Sequence, residues 1–266
     1  MTTTTFKYQY ETLNVKIYPD GVAHVELNRP DKLNSFSPGL FEDILQCFTT
    51  MSKDSDIHAI VLSGSGRMFT AGIDYVARQA FAKQAHLNYL QRSISSLEKC
   101  SQPVIVAMHN GVFGVGVDLV TAGDIRYGTK DSYYCVKEVD LGLAPDVGTL
   151  QRLPKIIGND SLVRELCYTA RIMKSNEALQ CGFINRIFDT KEQLIEGALK
   201  TAHEIASKSP VAVISTKHLL NYSRDHSVDE GLDYIRVWNS AMLMTEDIPK
   251  SIEAFVTKTP AKYSKL

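Results

Sequence analysis

The chain has no C-x-x-C pair and an odd number of cysteines, with Cys47, Cys100, Cys135, Cys167 and Cys181 widely scattered. That argues against a disulfide framework or a structural zinc site, and fits reduced thiols in an intracellular compartment. Long apolar runs are missing too. The longest, such as residues 59–62 and 103–108, fall far short of the roughly 20 residues a membrane span needs. Neither sign of charge is in excess. A formal charge of −1 over 266 residues gives no ground for a broad nucleic-acid surface. No linker rich in Gly, Ser or Pro, no repeat and no low-complexity tract divides the chain. The opening MTTTTFKYQYETL lacks the apolar core of a secretory signal and the arginine-rich face of a mitochondrial presequence. One continuous unit of ordinary soluble composition is expected.

The first half alternates short apolar strands with helices. Residues 15–18 and 22–27 flank Pro19-Asp20-Gly21, a hairpin signal. Ser37-Pro38 opens a helix with Leu40, Phe41, Ile44, Leu45 and Phe48 at helical spacing. Buried strands are predicted over 57–62 and 103–108, with a helix over 76–100 between them carrying Leu87, Leu90, Ile94 and Leu97 on one face. This order implies an α/β class with largely parallel pairing. From Gly148 onward the pattern predicts helices over 150–156, 161–168, 175–180, 191–207, 211–224 and 229–244, and a last one after Pro249.

Three carboxylates, Asp118, Glu138 and Asp146, punctuate the most apolar and glycine-rich third of the chain. An acid placed in a run such as 115–120 is expected to be buried, and burial makes it a usable base near neutral pH. Around Asp118 stand Gly111, Gly114 and Gly116, at a predicted helix entry. Such glycines let backbone N–H groups approach a ligand. The string is neither G-x-x-x-x-G-K-[ST] nor G-x-G-x-x-G, so a phosphate cradle is weakly supported, and an oxyanion hole or a plain tight turn is left open. A second small-residue turn, Ala71-Gly72-Ile73-Asp74, follows the strand at 57–62. Two such turns at strand ends can aim two amides at one oxygen.

The segments LNRPDKLNSFS, GSGRMFTAGIDY, HNGVFGVGVDLVTAGDIRY, VKEVDLGLAPDVGTLQRLPKIIG and NEALQCGFINRIF together resemble the crotonase (enoyl-CoA hydratase/isomerase) superfamily over nearly all of residues 13–260. Within it the acid triplet is most similar to that of the Δ3,5-Δ2,4-dienoyl-CoA isomerases. Enoyl-CoA hydratases would carry Glu where this chain has Asp118. The resemblance implies a ClpP/crotonase-like β/α spiral core, placed at 1–200, and a helical C-terminal region at 201–266 for packing and oligomerisation into a homotrimer or homohexamer.

It further implies an acyl-CoA thioester substrate, with no cofactor because CoA is part of the substrate, and no metal. The oxyanion donors would be the N–H groups of Ile73 and Val115. Val115 stands where the family usually has Gly, and a β-branched residue there requires a negative φ. Asp146 would be the base at C2, Glu138 the acid at C6, and Asp118 a neighbour tuning the pair. Asp140, two residues from Glu138, would share its face if the segment were extended. Arg29, Lys32, Leu33 and Asn34, with Ala71, Gly72, Ile73, Asp74 and Gly116, fall where the family contacts the thioester and CoA. His109 reads as a packed histidine, Arg126 and Arg152 as structural ion-pair partners.

The sequence ends in Ser264-Lys265-Leu266, the tripeptide that a peroxisomal import receptor reads, so a peroxisomal location is expected. Three readings of the function are kept. They are a dienoyl-CoA isomerase of unsaturated fatty-acid β-oxidation, a hydratase or Δ3-Δ2-enoyl-CoA isomerase on the same fold, and a silent acyl-CoA-binding subunit.

Overall fold

A computed structural model describes residues 7–74 and 84–264. The chain opens with the hairpin β1 (Leu13–Ile17) and β2 (Val22–Leu27), turned by Gly21 at φ +83°. Helix α1 (Pro38–Ser52) starts as the sequence predicts. The Ser37 side chain accepts from the Leu40 N–H and Pro38 fills the first turn, where a missing N–H costs nothing. Its apolar stripe, Leu40, Phe41, Ile44, Cys47, Phe48 and Met51, is wholly buried, each large side chain contributing about 1.5–3 kcal/mol by transfer.

Then come β3 (Ala59–Gly64), α2 (Gln84–Lys99), β4 (Val104–Met108), β5 (Gly111–Phe113), α3 (Val115–Thr121), β6 (Ile125–Thr129), β7 (Tyr133–Cys135) and a 3-10 turn at Glu138–Leu141. The C-terminal half holds α4 (Thr149–Ile156), α5 (Asp160–Thr169), β8 (Met173–Lys174), α6 (Ser175–Gln180), β9 (Arg186–Phe188) and α7 (Lys191–Ala206). It ends in α8 (Pro210–Ser223), α9 (Val228–Met242) and α10 (Asp247–Thr257).

Among the described residues the main sheet runs β1-β2-β3-β4-β6-β9, parallel except for the β1–β2 hairpin. Its central strands are buried on both faces. Ile60 and Leu62 of β3, with Val104 and Val106 of β4, enter the larger core under α1 and α2. Their neighbours Val61, Ile105 and Ala107 face the other way, onto Leu194, Ala198 and Ala202 of α7. That two-sided burial explains why these strands read as continuous apolar runs. A smaller sheet, β5-β7-β8, is joined to the segment that follows β3 by a parallel bridge between Thr70 and Val112.

Several boundaries differ from the sequence reading. The helix expected over 76–100 is α2 from Gln84, and residues 76–83 lie outside the described set. The last helix begins at Asp247 rather than after Pro249, because a proline in the first turn removes no intrahelical bond. Strands β5 to β9, of two to five residues, carry too few alternations to announce themselves. The expected division at 200/201 falls inside α7, whose buried stripe spans it, so the helical region starts at α8.

Candidate active site

Two turns leave the sheets side by side. The bridge between Thr70 and Val112 is closed by the Thr70 N–H on the Gly111 carbonyl at 3.1 Å and the Phe113 N–H on the Thr70 carbonyl at 3.3 Å. Three residues beyond each bridging residue stand Ile73 and Val115. Gly72, at φ +89°, lies so near Phe113 that a Cβ there would be 2.9 Å from the Phe113 carbonyl oxygen.

The first turn is shaped by a second bridge. The Phe36 N–H binds the Gly72 carbonyl at 2.8 Å, and the Asp74 N–H binds the Phe36 carbonyl at 2.9 Å. Both flanking groups point toward Phe36, so the N–H of Ile73 itself points away from it. On the other turn the positive φ falls on Gly114 (+51°), which caps α3, and Val115 is the first helical residue with no positive φ. The steric objection to valine is thereby removed. Among the described residues neither the Ile73 nor the Val115 N–H has a hydrogen-bond acceptor. The two turns thus carry two free amides, one of them at a helix N-terminus.

The acids gather beside this pair. Asp118, in the first turn of α3, is 1% exposed. Its Oδ1 accepts the Thr149 N–H at 2.6 Å, the first amide of α4, and its Oδ2 is buried without a partner. Burial raises its pKa to about 6, against the opposing pull of the Thr149 hydrogen bond and the Arg152 charge. Glu138 opens the 3-10 turn with Oε1 3.4 Å from where a Gly114 Cβ would sit. Its Oε2 is likewise buried and unpartnered. Burial, then the nearby Asp118 charge, pushes Glu138 up to about 7. Asp146 faces solvent, and its charge raises both neighbours further. Its own pKa is raised by partial desolvation. It does not cap α4, whose cap is Gly148. Asp140 stays outside the group, exposed and paired with Lys137, because the segment is a 3-10 turn rather than a strand.

The remaining predicted residues divide. Arg29 donates to the Ser35 carbonyl and pairs with Asp74 at 3.3 Å, tying its loop to the Ile73 turn. Lys32 is exposed beside them, and the Leu33 carbonyl receives the Ala71 N–H at 2.9 Å. Leu33 and Asn34 both take positive φ, near 50°. Asn34 is fully buried and its side chain is consumed internally, accepting from the Arg29 N–H and donating to the Ser65 and Met68 carbonyls. Gly116 is needed for packing, since a Cβ there would collide with the Thr70 methyl. His109 is buried with Nε2 on the Gly66 carbonyl, as a packed histidine should be. Arg152 pairs with Glu98, whereas Arg126 spends its guanidinium on the Phe183 and Gly123 carbonyls. Ser264 accepts from Lys250, while Lys265 and Leu266 lie outside the described residues. The sequence reading missed Thr70, whose hydroxyl accepts the Gly72 N–H and donates to the Asn34 carbonyl, and Thr149, which supplies the amide to Asp118. Neither carries a local signal, because both act on residues distant in sequence or through the backbone.

The sequence matches the enoyl-CoA hydratase/isomerase family over residues 18–265. The chain belongs to that family, and its fold is the crotonase fold. It is 48% identical to the mitochondrial Delta(3,5)-Delta(2,4)-dienoyl-CoA isomerase of Rattus norvegicus, covering 97% of this chain and 84% of that protein. The peroxisomal Delta(3,5)-Delta(2,4)-dienoyl-CoA isomerase of Arabidopsis thaliana is 37% identical over 97% of this chain and 98% of its own. Among solved structures, an enoyl-CoA hydratase from Bacillus anthracis superposes with a TM-score of 0.90 at 26% identity, covering 95% of this chain and 99% of that one. Among the described residues no helix is long and apolar enough to cross a membrane.

Proposed function

We propose that this chain isomerises 3,5-dienoyl-CoA to 2,4-dienoyl-CoA. The observation carrying the reading is the contrast between its acids. Glu138 is buried and held toward its protonated form beside the amide pair, while Asp146 is exposed and only partly desolvated. The dienoyl-CoA isomerase names of the rat and Arabidopsis relatives support the same choice within the family.

The chemistry asks for two carboxyls. A C2 proton of a 3,5-dienoyl thioester is acidified by the carbonyl and the adjacent diene, and its loss gives a dienolate extending to C6. Reprotonation at C6 leaves the conjugated 2,4-diene. A proton donor or acceptor must lie within about 3 Å of its carbon, and C2 and C6 are four bonds apart. In this reading Asp146 takes the C2 proton and Glu138 gives its own to C6. The thioester oxygen rests on the Ile73 and Val115 amides, each such donor contributing on the order of 10²–10³ in rate. Afterwards Asp146 returns its proton to water and Glu138 is recharged. Asp118 stays an anion that keeps Glu138 protonated. Lys32, exposed next to the loop that Arg29 ties to Asp74, is a cation available to meet a CoA phosphate. The reading needs no metal or redox cofactor.

Conjugated-diene absorbance appearing on incubation with 3,5-dienoyl-CoA tests this. Fast hydration of 2-enoyl-CoA without diene formation would make the chain a hydratase. Tight acyl-CoA binding with no turnover would make it a silent subunit. We further propose a homotrimer or a dimer of trimers, because α9 and α10 and the segment between them leave Val237, Met244, Phe255 and Val256 largely exposed. The location proposed is the peroxisome, read from Ser264-Lys265-Leu266, although relatives are named for both organelles. Loss of import on removing those residues checks it.

A further inference from the structure

Behind Asp118 lies a charged group the reaction itself does not use. Arg152, 8% exposed on α4, directs Nε at Glu98 Oε1 (3.3 Å) and Nη2 at Glu98 Oε2 (3.1 Å) and at Ser95 Oγ (2.8 Å). Glu98 also accepts from Arg224, at the C-cap of α8, at 2.6 Å, so the carboxylate is gripped from two sides. The third nitrogen, Nη1, lies on Gly148, where any Cβ would collide with it. Gly148 is the cap of α4, and the next amide, on Thr149, is the one given to Asp118.

We propose that Arg152 is a positioning residue for the acid pair: clamped by Glu98 against Gly148, it holds the Thr149 amide and its own positive charge at Asp118, which makes Asp118 the fixed anion and leaves the proton to Glu138. The inference rests on the isomerase reading for its consequence, not for its geometry. The Asp118 charge favours a proton on Glu138, and in the isomerase reading only its placement there is productive. The groups bearing on the pair are Asp146 before α4, Arg152 on α4, Cys167 on α5 and Cys135 on β7, with Glu98 and Arg224 behind Arg152. The Arg152 charge opposes the rise at Asp118, and the Asp146 charge adds to it.

Removing that charge has a paired signature. Asp118 then competes for the proton, so the productive fraction and kcat fall roughly 3–10-fold with KM nearly unchanged. The pair as a whole holds its proton more tightly, so the alkaline limb of the kcat profile moves up by about half a pH unit or more. A purely structural loss lowers the profile without displacing it.

The experiment has two arms. Side-chain carboxyl carbons of isotope-labelled protein are titrated without substrate, assigned with Asp118→Asn and Glu138→Gln, in the unmodified chain and in Arg152→Gln. Dienoyl-CoA kinetics are then measured across pH. Expected are Asp118 ionising before Glu138 in the unmodified chain, a raised Asp118 titration in Arg152→Gln, and recovery of much of the shift in Arg152→Lys. In the Asp118→Asn background, Arg152→Gln should no longer move the limb. If Glu138 ionises first in the unmodified protein, the proposal is overturned whether or not any variant folds. An unmoved Asp118 titration in folded Arg152→Gln overturns it as well. Absence of dienoyl-CoA turnover in the unmodified chain defeats the isomerase reading instead, and leaves the titration arm to decide the role of Arg152.

Discussion

Replacing Glu138 with Gln should make the protein catalytically poor and thermodynamically better. Glu138 carries its proton up to about pH 7 in the fold, against an ordinary value of 4.5. Between those values the folded chain holds a proton that the unfolded chain has released. Stability therefore falls as pH rises through the window, and the full loss is present above pH 7. Converting the displacement at 1.36 kcal/mol per pH unit gives about 3 kcal/mol withdrawn at pH 8. A neutral, similarly shaped amide is free of that penalty. Its melting temperature should then exceed that of the unmodified chain by roughly 6–12 °C at pH 8, using the sensitivity of domains of this size. The gap should close near pH 4, where both side chains are uncharged. Calorimetry across that range at one protein concentration reads it, alongside a turnover assay in which Glu138→Gln loses at least about 100-fold. A gap that does not vary with pH would mean that Glu138 is not held protonated by its surroundings, and its role as proton donor would go with it.

Other outcomes follow from the same geometry. Asp146→Asn should cut kcat at least about 100-fold with acyl-CoA affinity nearly unchanged, measured by single-turnover kinetics and calorimetric titration. Val115→Pro deletes one amide while fitting the first position of α3, so activity should drop on the order of 10²–10³-fold with little change in melting temperature. Gly72→Ala combines φ +89° with a Cβ 2.9 Å from the Phe113 carbonyl, so both activity and thermal stability should fall.

The fold and the chemistry were unevenly visible in the linear chain. Strands such as β3 and β4 stood out because burial on both faces demands continuous apolar runs, and α1 because a Ser-Pro start precedes a helical stripe. Asp118 stood out because a carboxyl inside an apolar run must be buried, and Glu138 is buried too, whereas Asp146 proved exposed. What holds them was hidden. Asn34 to Met68, Thr149 to Asp118, and Arg152 to Glu98 are contacts across 34, 31 and 54 residues, with no periodic pattern to betray them. The same holds for Val115, where the sequence raised a conformational objection that only the neighbouring Gly114 resolves. Composition also said nothing of β5 and β7, though their pairing brings the glycine turn toward Glu138.

The rung that joins Thr70 to Val112 acts as a ruler. Both donors are counted off the same crossing by equal stretches of chain, so their separation is fixed by peptide dimensions rather than by whatever side chains decorate the loops. In the isomerase reading, side chains on either turn can therefore be exchanged, as valine at 115 illustrates, without loss of the grip on the thioester oxygen. A scaffold built this way can remodel what it admits without having to reinvent how it stabilises charge.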